Sequence, residues 1–108
     1  MLGAVILDYP YSLDEDDALA RLKALADYWQ KKHGVKATWE GNDVHFDGKV
    51  KGVRFDGKVT IGGGRVYANV KTGFLAEKLG GKAYVKGKLA DYLDPSNSIE
   101  ELRSRIPG

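Results

Sequence analysis

The chain has 108 residues, of which 43% are apolar and 30% charged, with 14 glycines, 3 prolines, no cysteine and a formal net charge of +2. This composition is typical of one compact soluble domain over residues 1–108 and excludes a second domain. Without cysteine there is no disulfide scaffold, thiolate zinc site or thiol nucleophile, and the longest apolar run near the start, residues 3–7, is too short for a signal sequence or a transmembrane segment, so we expect a cytoplasmic protein.

A strand and then a helix are predicted at the start of the chain. Residues 4–9 are mostly aliphatic and β-branched and stop at Pro10, which predicts a β-strand. Ser12 with Glu15 three residues later predicts a capping box for a helix that ends near Gly34. One stripe of apolar residues along this helix must pack on a flat apolar surface, and it consists of Ala18, Leu22, Leu25, Ala26 and Trp29.

Alternating apolar and polar residues from 36 to 72 predict four antiparallel strands. Gly41-Asn42 and Lys51-Gly52 are spaced as two-residue turns, and the glycines at 62–64 predict the third turn. These turns keep the apolar side chains of successive strands on one face.

An internal repeat sets the register of the central hairpin. The sequence Phe-Asp-Gly-Lys-Val occurs at 46–50 and again at 55–59. With a two-residue turn between the copies, Phe46 and Phe55 each lie opposite the glycine of the other copy. We expect these glycines to leave room for the two rings.

The last third of the chain is predicted to be helical. Residues 74–79 allow one helical turn, and Val85 with Leu89 at helical spacing predicts a helix that stops before Pro95. Ser98 with Glu101 at the start of the C-terminal extension 95–108 predicts a capping box and a final short helix. The order β-α-β-β-β-β-α-α predicts an α+β fold, a single antiparallel sheet with helices packed on one face.

The opposite face of the sheet is predicted to be polar and basic. Residues 48–90 contain ten basic and two acidic residues, so this block carries +8 and suggests an anionic partner. The residues of the predicted binding face are Lys49, Lys51, Arg54, Lys58, Arg65, Tyr67 and Lys71.

Two groups of residues suggest chemistry at this sheet. Asp47 and Asp56 are predicted to lie directly opposite each other, and with His45 they resemble an acid/base pair or a metal site. A lattice of exposed ion pairs with neighbouring lysines and arginines explains the same carboxylates and is favoured. The glycines at 62–64 join two strands, whereas a phosphate-binding loop joins a strand to a helix. We therefore expect no catalytic residue, cofactor or metal.

Several short motifs occur together in this chain. They are Ser12-Leu13 at the start of an acidic helix, His33-Gly34, Thr38-Trp39-Glu40-Gly41-Asn42, Gly73-Phe74-Leu75 and Gly81-Lys82. The pattern, over about residues 4–93, resembles the granule-region family of putative polyhydroxyalkanoic acid system proteins, a small bacterial family encoded near genes for storage-polyester granules. The resemblance implies an accessory role in storage-polyester metabolism or at the granule surface, and it transfers no catalytic residue.

The expected function is that of a non-enzymatic accessory or binding protein of polyhydroxyalkanoate metabolism. Its expected partner is the granule surface, another protein or a second copy of the chain. The alternative is a small basic-faced domain that binds nucleic acid or anionic lipid through the open sheet face, with binding that weakens steeply as salt rises. A small hydrolase or isomerase is the least favoured class.

Overall fold

The computed structural model describes residues 3–50, 53–72 and 81–107. Its strands are β1 (Gly3–Pro10), β2 (Lys36–Glu40), β3 (Asp43–Val50), β4 (Val53–Gly62) and β5 (Arg65–Thr72). Its helices are α1 (Glu15–His33), α2 (Gly81–Tyr92) and α3 (Ile99–Ser104). The α+β fold is confirmed, and the predicted turn at residues 74–79 lies outside the described residues.

The five strands form one antiparallel sheet in the order β1-β5-β4-β3-β2. Strands β2 to β5 are a meander, and β1 pairs with β5, so that Val5 lies opposite Val70. The sequence pattern alone does not indicate this partner for β1. Helix α1 carries the chain from β1 at one edge of the sheet to β2 at the other.

The predicted register of the central hairpin is confirmed. Phe46 lies opposite Gly57, and Phe55 lies opposite Gly48. The turn residues Lys51 and Gly52 themselves lie outside the described part of the chain. At the next turn, Gly63 and Gly64 both have positive φ, 61° and 77°, which favours glycine at both positions.

The two hairpin glycines lie closest to neighbouring main-chain segments, which the sequence did not indicate. A Cβ atom on Gly48 would lie 2.8 Å from the Cα atom of Val35, and one on Gly57 would lie 2.6 Å from the Cα atom of Val70. The nearest obstacles are therefore backbone atoms of neighbouring segments and not the phenyl rings. Glycine at these positions allows close approach of the main chains.

The core lies between the sheet and the helices. All five residues of the predicted stripe on α1 are buried, and the ring of Trp29 meets that of Phe46 edge to face at 5.1 Å. Val85 and Leu89 of α2 are buried in the same core. Trp39 on the edge strand β2 is only partly buried, and the ammonium of Lys23 lies 5.5 Å from its ring centroid.

The structure contradicts the predicted start of α1 and confirms its predicted end. The N-cap is Asp14, which makes no side-chain capping hydrogen bond, so the predicted Ser12–Glu15 capping box is wrong. Asp14 is extended and its carbonyl accepts from the N–H of Ala18, so the first helical turn begins beyond Ser12. At the other end Gly34 is left-handed, φ 71°, and the predicted stop is confirmed.

The C-terminal extension is part of the core. The Ser98 hydroxyl accepts a hydrogen bond from the N–H of Glu101 at 3.1 Å, which confirms the predicted cap of α3. Leu102 is 0% exposed and α3 packs against α1. The extension therefore contributes to the hydrophobic core.

Candidate functional site

The candidate site is the uncovered face of the sheet. The helices among the described residues pack on the apolar face, and side chains that alternate with the core residues point away from them. Six residues of the predicted binding face are exposed there: Lys49, Arg54, Lys58, Arg65, Tyr67 and Lys71. The seventh, Lys51, lies outside the described residues. Binding by this face stays a prediction.

Half of these six residues form ion pairs with carboxylates on neighbouring strands. The pairs are Arg54 Nη2 with Asp47 Oδ1 at 3.0 Å, Lys58 Nζ with Asp43 Oδ2 at 3.4 Å, and Arg65 Nε with Asp8 Oδ1 at 2.5 Å. Lys49 and Lys71 have no ion-pair partner among the described residues. Local pairing reduces the field expected from the basic block, because each pair presents little net charge to a partner.

Charge on this face also changes sign along the strands. Lys49 and Arg54 lie opposite each other near the β3–β4 turn. Glu40 and Asp43 are a cross-strand pair further along, and Asp8 lies in the same row on β1. A uniformly anionic polymer therefore matches one end of the face and is repelled by the other.

The middle of the face is a shallow concavity of about 460 Å³. It is lined by His45, Asp56, Gly57, Lys58, Thr60, Tyr67, Asn69 and Lys71. Within it, His45 Nε2 and Asp56 Oδ1 are 2.7 Å apart, and the two side chains are 54% and 48% exposed. Such a pair can orient an imidazole for proton transfer.

The two carboxylates that resemble a catalytic pair in the sequence have different partners. Asp47 and Asp56 lie opposite each other, as predicted. Asp47 accepts a hydrogen bond from Arg54, whereas Asp56 interacts with His45. Among the described residues, no three His, Asp or Glu side chains are grouped to hold a metal ion.

Two acidic residues of this face were missed at the sequence level. Asp43 pairs with Lys58, and its pKa is lowered chiefly by a hydrogen bond from Thr60. Asp8 pairs with Arg65, 57 positions away in the chain. Alternation in the first strand would place Asp8 on the polar face, but its partner depends on the pairing of β1 with β5.

The largest exposed apolar side chains among the described residues lie on this face. Ile6 is 52% exposed and Tyr67 is 46% exposed. Ile6 lies opposite Asn69, and Tyr67 is two residues before Asn69 on the neighbouring strand, so the two form a diagonal pair. The face thus combines a small apolar spot with charged surroundings.

The model of the family described as putative polyhydroxyalkanoic acid system proteins matches residues 6–96. The chain belongs to this family. The match agrees with the range expected from the sequence motifs and leaves α3 outside. Membership links the chain to the polyhydroxyalkanoic acid system. Comparisons with curated proteins and with solved structures gave no match. Within the described ranges, no helix combines the length and apolar character needed to cross a membrane.

Proposed function

We propose that this protein is a non-enzymatic accessory protein of polyhydroxyalkanoate metabolism that binds the surface of storage granules through the uncovered face of its sheet. The family supplies the metabolic context. The observation that carries the proposal is the diagonal pair of exposed apolar side chains, Ile6 and Tyr67, on a face that no described helix covers.

A polyester surface offers apolar chain and ester oxygens, and this face offers matching groups. Ile6 and the Tyr67 ring supply apolar contact, while Asn69 and Lys71 supply hydrogen-bond donors beside them. Lys58 and Arg65 near the apolar pair need no charged partner, because each already has a carboxylate. This arrangement suits a largely uncharged surface.

Flotation of the full-length chain with purified polyhydroxybutyrate granules tests the proposal. The wild-type protein should float with the granules, and the double variant Ile6→Ser, Tyr67→Ser should stay in the soluble fraction. The matched control carries Asp27→Ser and Gln30→Ser at exposed positions of α1 and should float like the wild type. Flotation of the wild type no better than a size-matched unrelated protein overturns granule binding, and flotation of the Ile6/Tyr67 variant overturns the assignment of this face.

A second candidate, a small hydrolase or isomerase, is favoured by the His45–Asp56 pair in the concavity. His45 would act as the general base, with Asp56 orienting its ring. An assay with short 3-hydroxyacid esters tests it: turnover that His45→Gln removes and Lys49→Gln leaves intact supports this candidate. Absence of turnover by the wild type counts against it.

The alternative partner for this face, nucleic acid or anionic lipid, has less support. Three of the face's cations are already paired, and its charge changes sign along the strands. Lys49 and Lys71 have no ion-pair partner among the described residues, so the double variant Lys49→Gln, Lys71→Gln tests this alternative in binding to anionic vesicles and to DNA.

A further inference from the structure

A cluster of lysines and tyrosines lies on the helix layer, away from the sheet face. The ammonium of Lys32 at the end of α1 is 5.3 Å from the ring centroid of Tyr28. The ammonium of Lys88 on α2 is 4.8 Å from the same centroid and 5.9 Å from that of Tyr84. Two cations from different helices are thus held around one ring.

Both tyrosine rings of this cluster pack against the hydrophobic core. Trp29 donates a hydrogen bond from Nε1 to the Tyr84 hydroxyl at 3.1 Å, and the two rings lie 6.5 Å apart at 30°. Tyr28 and Tyr84 are each half-buried. Because the rings are anchored in this way, the lysines that contact them lose less freedom on binding a ligand than free surface lysines do.

The charge of Lys32 and Lys88 is not balanced by a carboxylate among the described residues. Asp91, one turn beyond Lys88 on α2, is already bonded to Arg105 and Asn97. The pKa of Lys32 is raised, chiefly by a hydrogen bond with the Tyr28 hydroxyl. Three of the five described cations of the sheet face are paired, whereas Lys32 and Lys88 form no ion pair with a carboxylate among the described residues.

We propose that Lys32 and Lys88, arranged around Tyr28 and Tyr84, form a binding surface for the phosphate groups of an anionic lipid layer. The two ammonium groups lie 5.3 and 4.8 Å from the Tyr28 ring centroid, and each can bind a headgroup phosphate. Exposed lysines on the same helices, Lys31 and Lys86, extend the positive surface. This inference is independent of the proposed function, since it concerns a different layer of the molecule.

The ring geometry favours lipid over single-stranded nucleic acid. Base stacking needs an aromatic face that is open to solvent. The Tyr28 ring is flanked by Lys32 and Lys88, and the Tyr84 ring faces Trp29. Half-buried tyrosines are suited to a lipid interface, where an amphipathic ring contacts both headgroups and water.

Co-sedimentation of the full-length protein with vesicles of phosphatidylglycerol in phosphatidylcholine tests the proposal, with phosphatidylcholine vesicles as the neutral reference. The wild type should bind the anionic vesicles only. The double variant Lys32→Gln, Lys88→Gln should bind roughly 30-fold more weakly, since each lysine near an anionic surface contributes about a fivefold gain in affinity. The matched control, Lys49→Gln with Lys71→Gln, removes the same charge from the sheet face and should bind like the wild type.

Four outcomes overturn this assignment. They are no binding by the wild type, equal binding to neutral vesicles, equal loss in both double variants, and loss confined to the Lys49/Lys71 variant. Duplex DNA is the competing ligand: if DNA binds through Lys32 and Lys88 while anionic vesicles do not, the lipid assignment is wrong. Circular dichroism of each variant shows that a loss of binding is not a loss of fold.

Discussion

Arg21 joins α1 to the end of α2. Among the described residues, Arg21 is the charged residue that is buried, with 5% of its surface exposed. Its Nη1 donates hydrogen bonds to the carbonyl oxygens of Tyr92 at 3.1 Å and of Asp94 at 3.0 Å. Its Nε also donates to Asp17. Carbonyl groups at the end of a helix lack partners within the helix, so Arg21 satisfies them.

Replacement of Arg21 by Met should lower the free energy of unfolding by about 1–3 kcal/mol, because it leaves buried carbonyl groups without a donor. Urea denaturation measures the change. Lys31→Met, an exposed position on the same helix, should change the stability little. Equal stabilities for the two variants would show that the contacts of Arg21 contribute nothing.

Two aromatic residues of the apolar face should contribute differently to the free energy of unfolding. Phe46→Ala should cost about 3–5 kcal/mol, because the ring is buried against Trp29. Trp39 packs against the same core from strand β2. Since it is only partly buried on the edge strand, Trp39→Ala should cost about half as much. Thermal and urea unfolding of both variants checks the order, and a near-native Phe46→Ala protein would contradict the packing.

At the scale of elements, replacement of glycine by alanine should change the stability in opposite directions at Gly57 and at Gly87. A Cβ atom on Gly57 in β4 would lie 2.6 Å from Cα of Val70 and 2.8 Å from the carbonyl oxygen of Asn69. Gly57→Ala should therefore force β4 and β5 apart and cost about 1–3 kcal/mol. Gly87→Ala in α2 meets no atom within 4 Å and should stabilise the protein by about 0.5–1 kcal/mol. Melting temperatures that shift in the same direction would refute this account.

The helix caps allow a similar comparison. Ser98→Ala removes the hydrogen bond to the Glu101 N–H and should cost about 1 kcal/mol, although α3 is short. Ser12→Ala should have almost no effect, because Ser12 does not cap α1. Denaturant midpoints measured under identical conditions compare the stabilities of the two variants. An equal loss of stability in Ser12→Ala would show that Ser12 does cap α1, contrary to the structure.

At the scale of the whole molecule, stability should fall in acid through Asp43 and Asp94. Their pKa values are lowered in the folded state, for Asp43 chiefly by a hydrogen bond from Thr60 and for Asp94 by the N–H and hydroxyl of Ser96. A group with a lowered folded pKa stabilises the protein above its unfolded pKa, about 3.9 for Asp, and this contribution is lost as the pH falls through the folded pKa.

Urea denaturation as a function of pH measures this effect. The wild type should lose stability below about pH 4, and the double variant Asp43→Asn, Asp94→Asn should show a flatter dependence there. The matched control Asp27→Asn, at an exposed position of α1, should show the same dependence of stability on pH as the wild type. Identical pH profiles for the wild type and the Asp43/Asp94 variant would exclude these two carboxyl groups as its cause.

Local patterns in the sequence determined the elements, the register of the meander and the polarity of the two sheet faces. The repeat around Phe46 and Phe55 set the central register because a two-residue turn leaves one pairing that keeps apolar side chains together. Family membership was also readable from short motifs. These features depend on neighbours a few residues apart.

Only the tertiary structure decided which distant groups meet. The Asp8–Arg65 pair requires β1 to join β5, and the bond from Arg21 to Tyr92 spans 71 positions. The basic block illustrates the difference: its composition suggested one cationic face, whereas folding paired three of the five described cations of that face and placed Lys88 near the same tyrosine ring as Lys32 on the helices. Charge counts along a chain do not contain these contacts, because electrostatic pairing depends on distances that are set by packing of the whole fold.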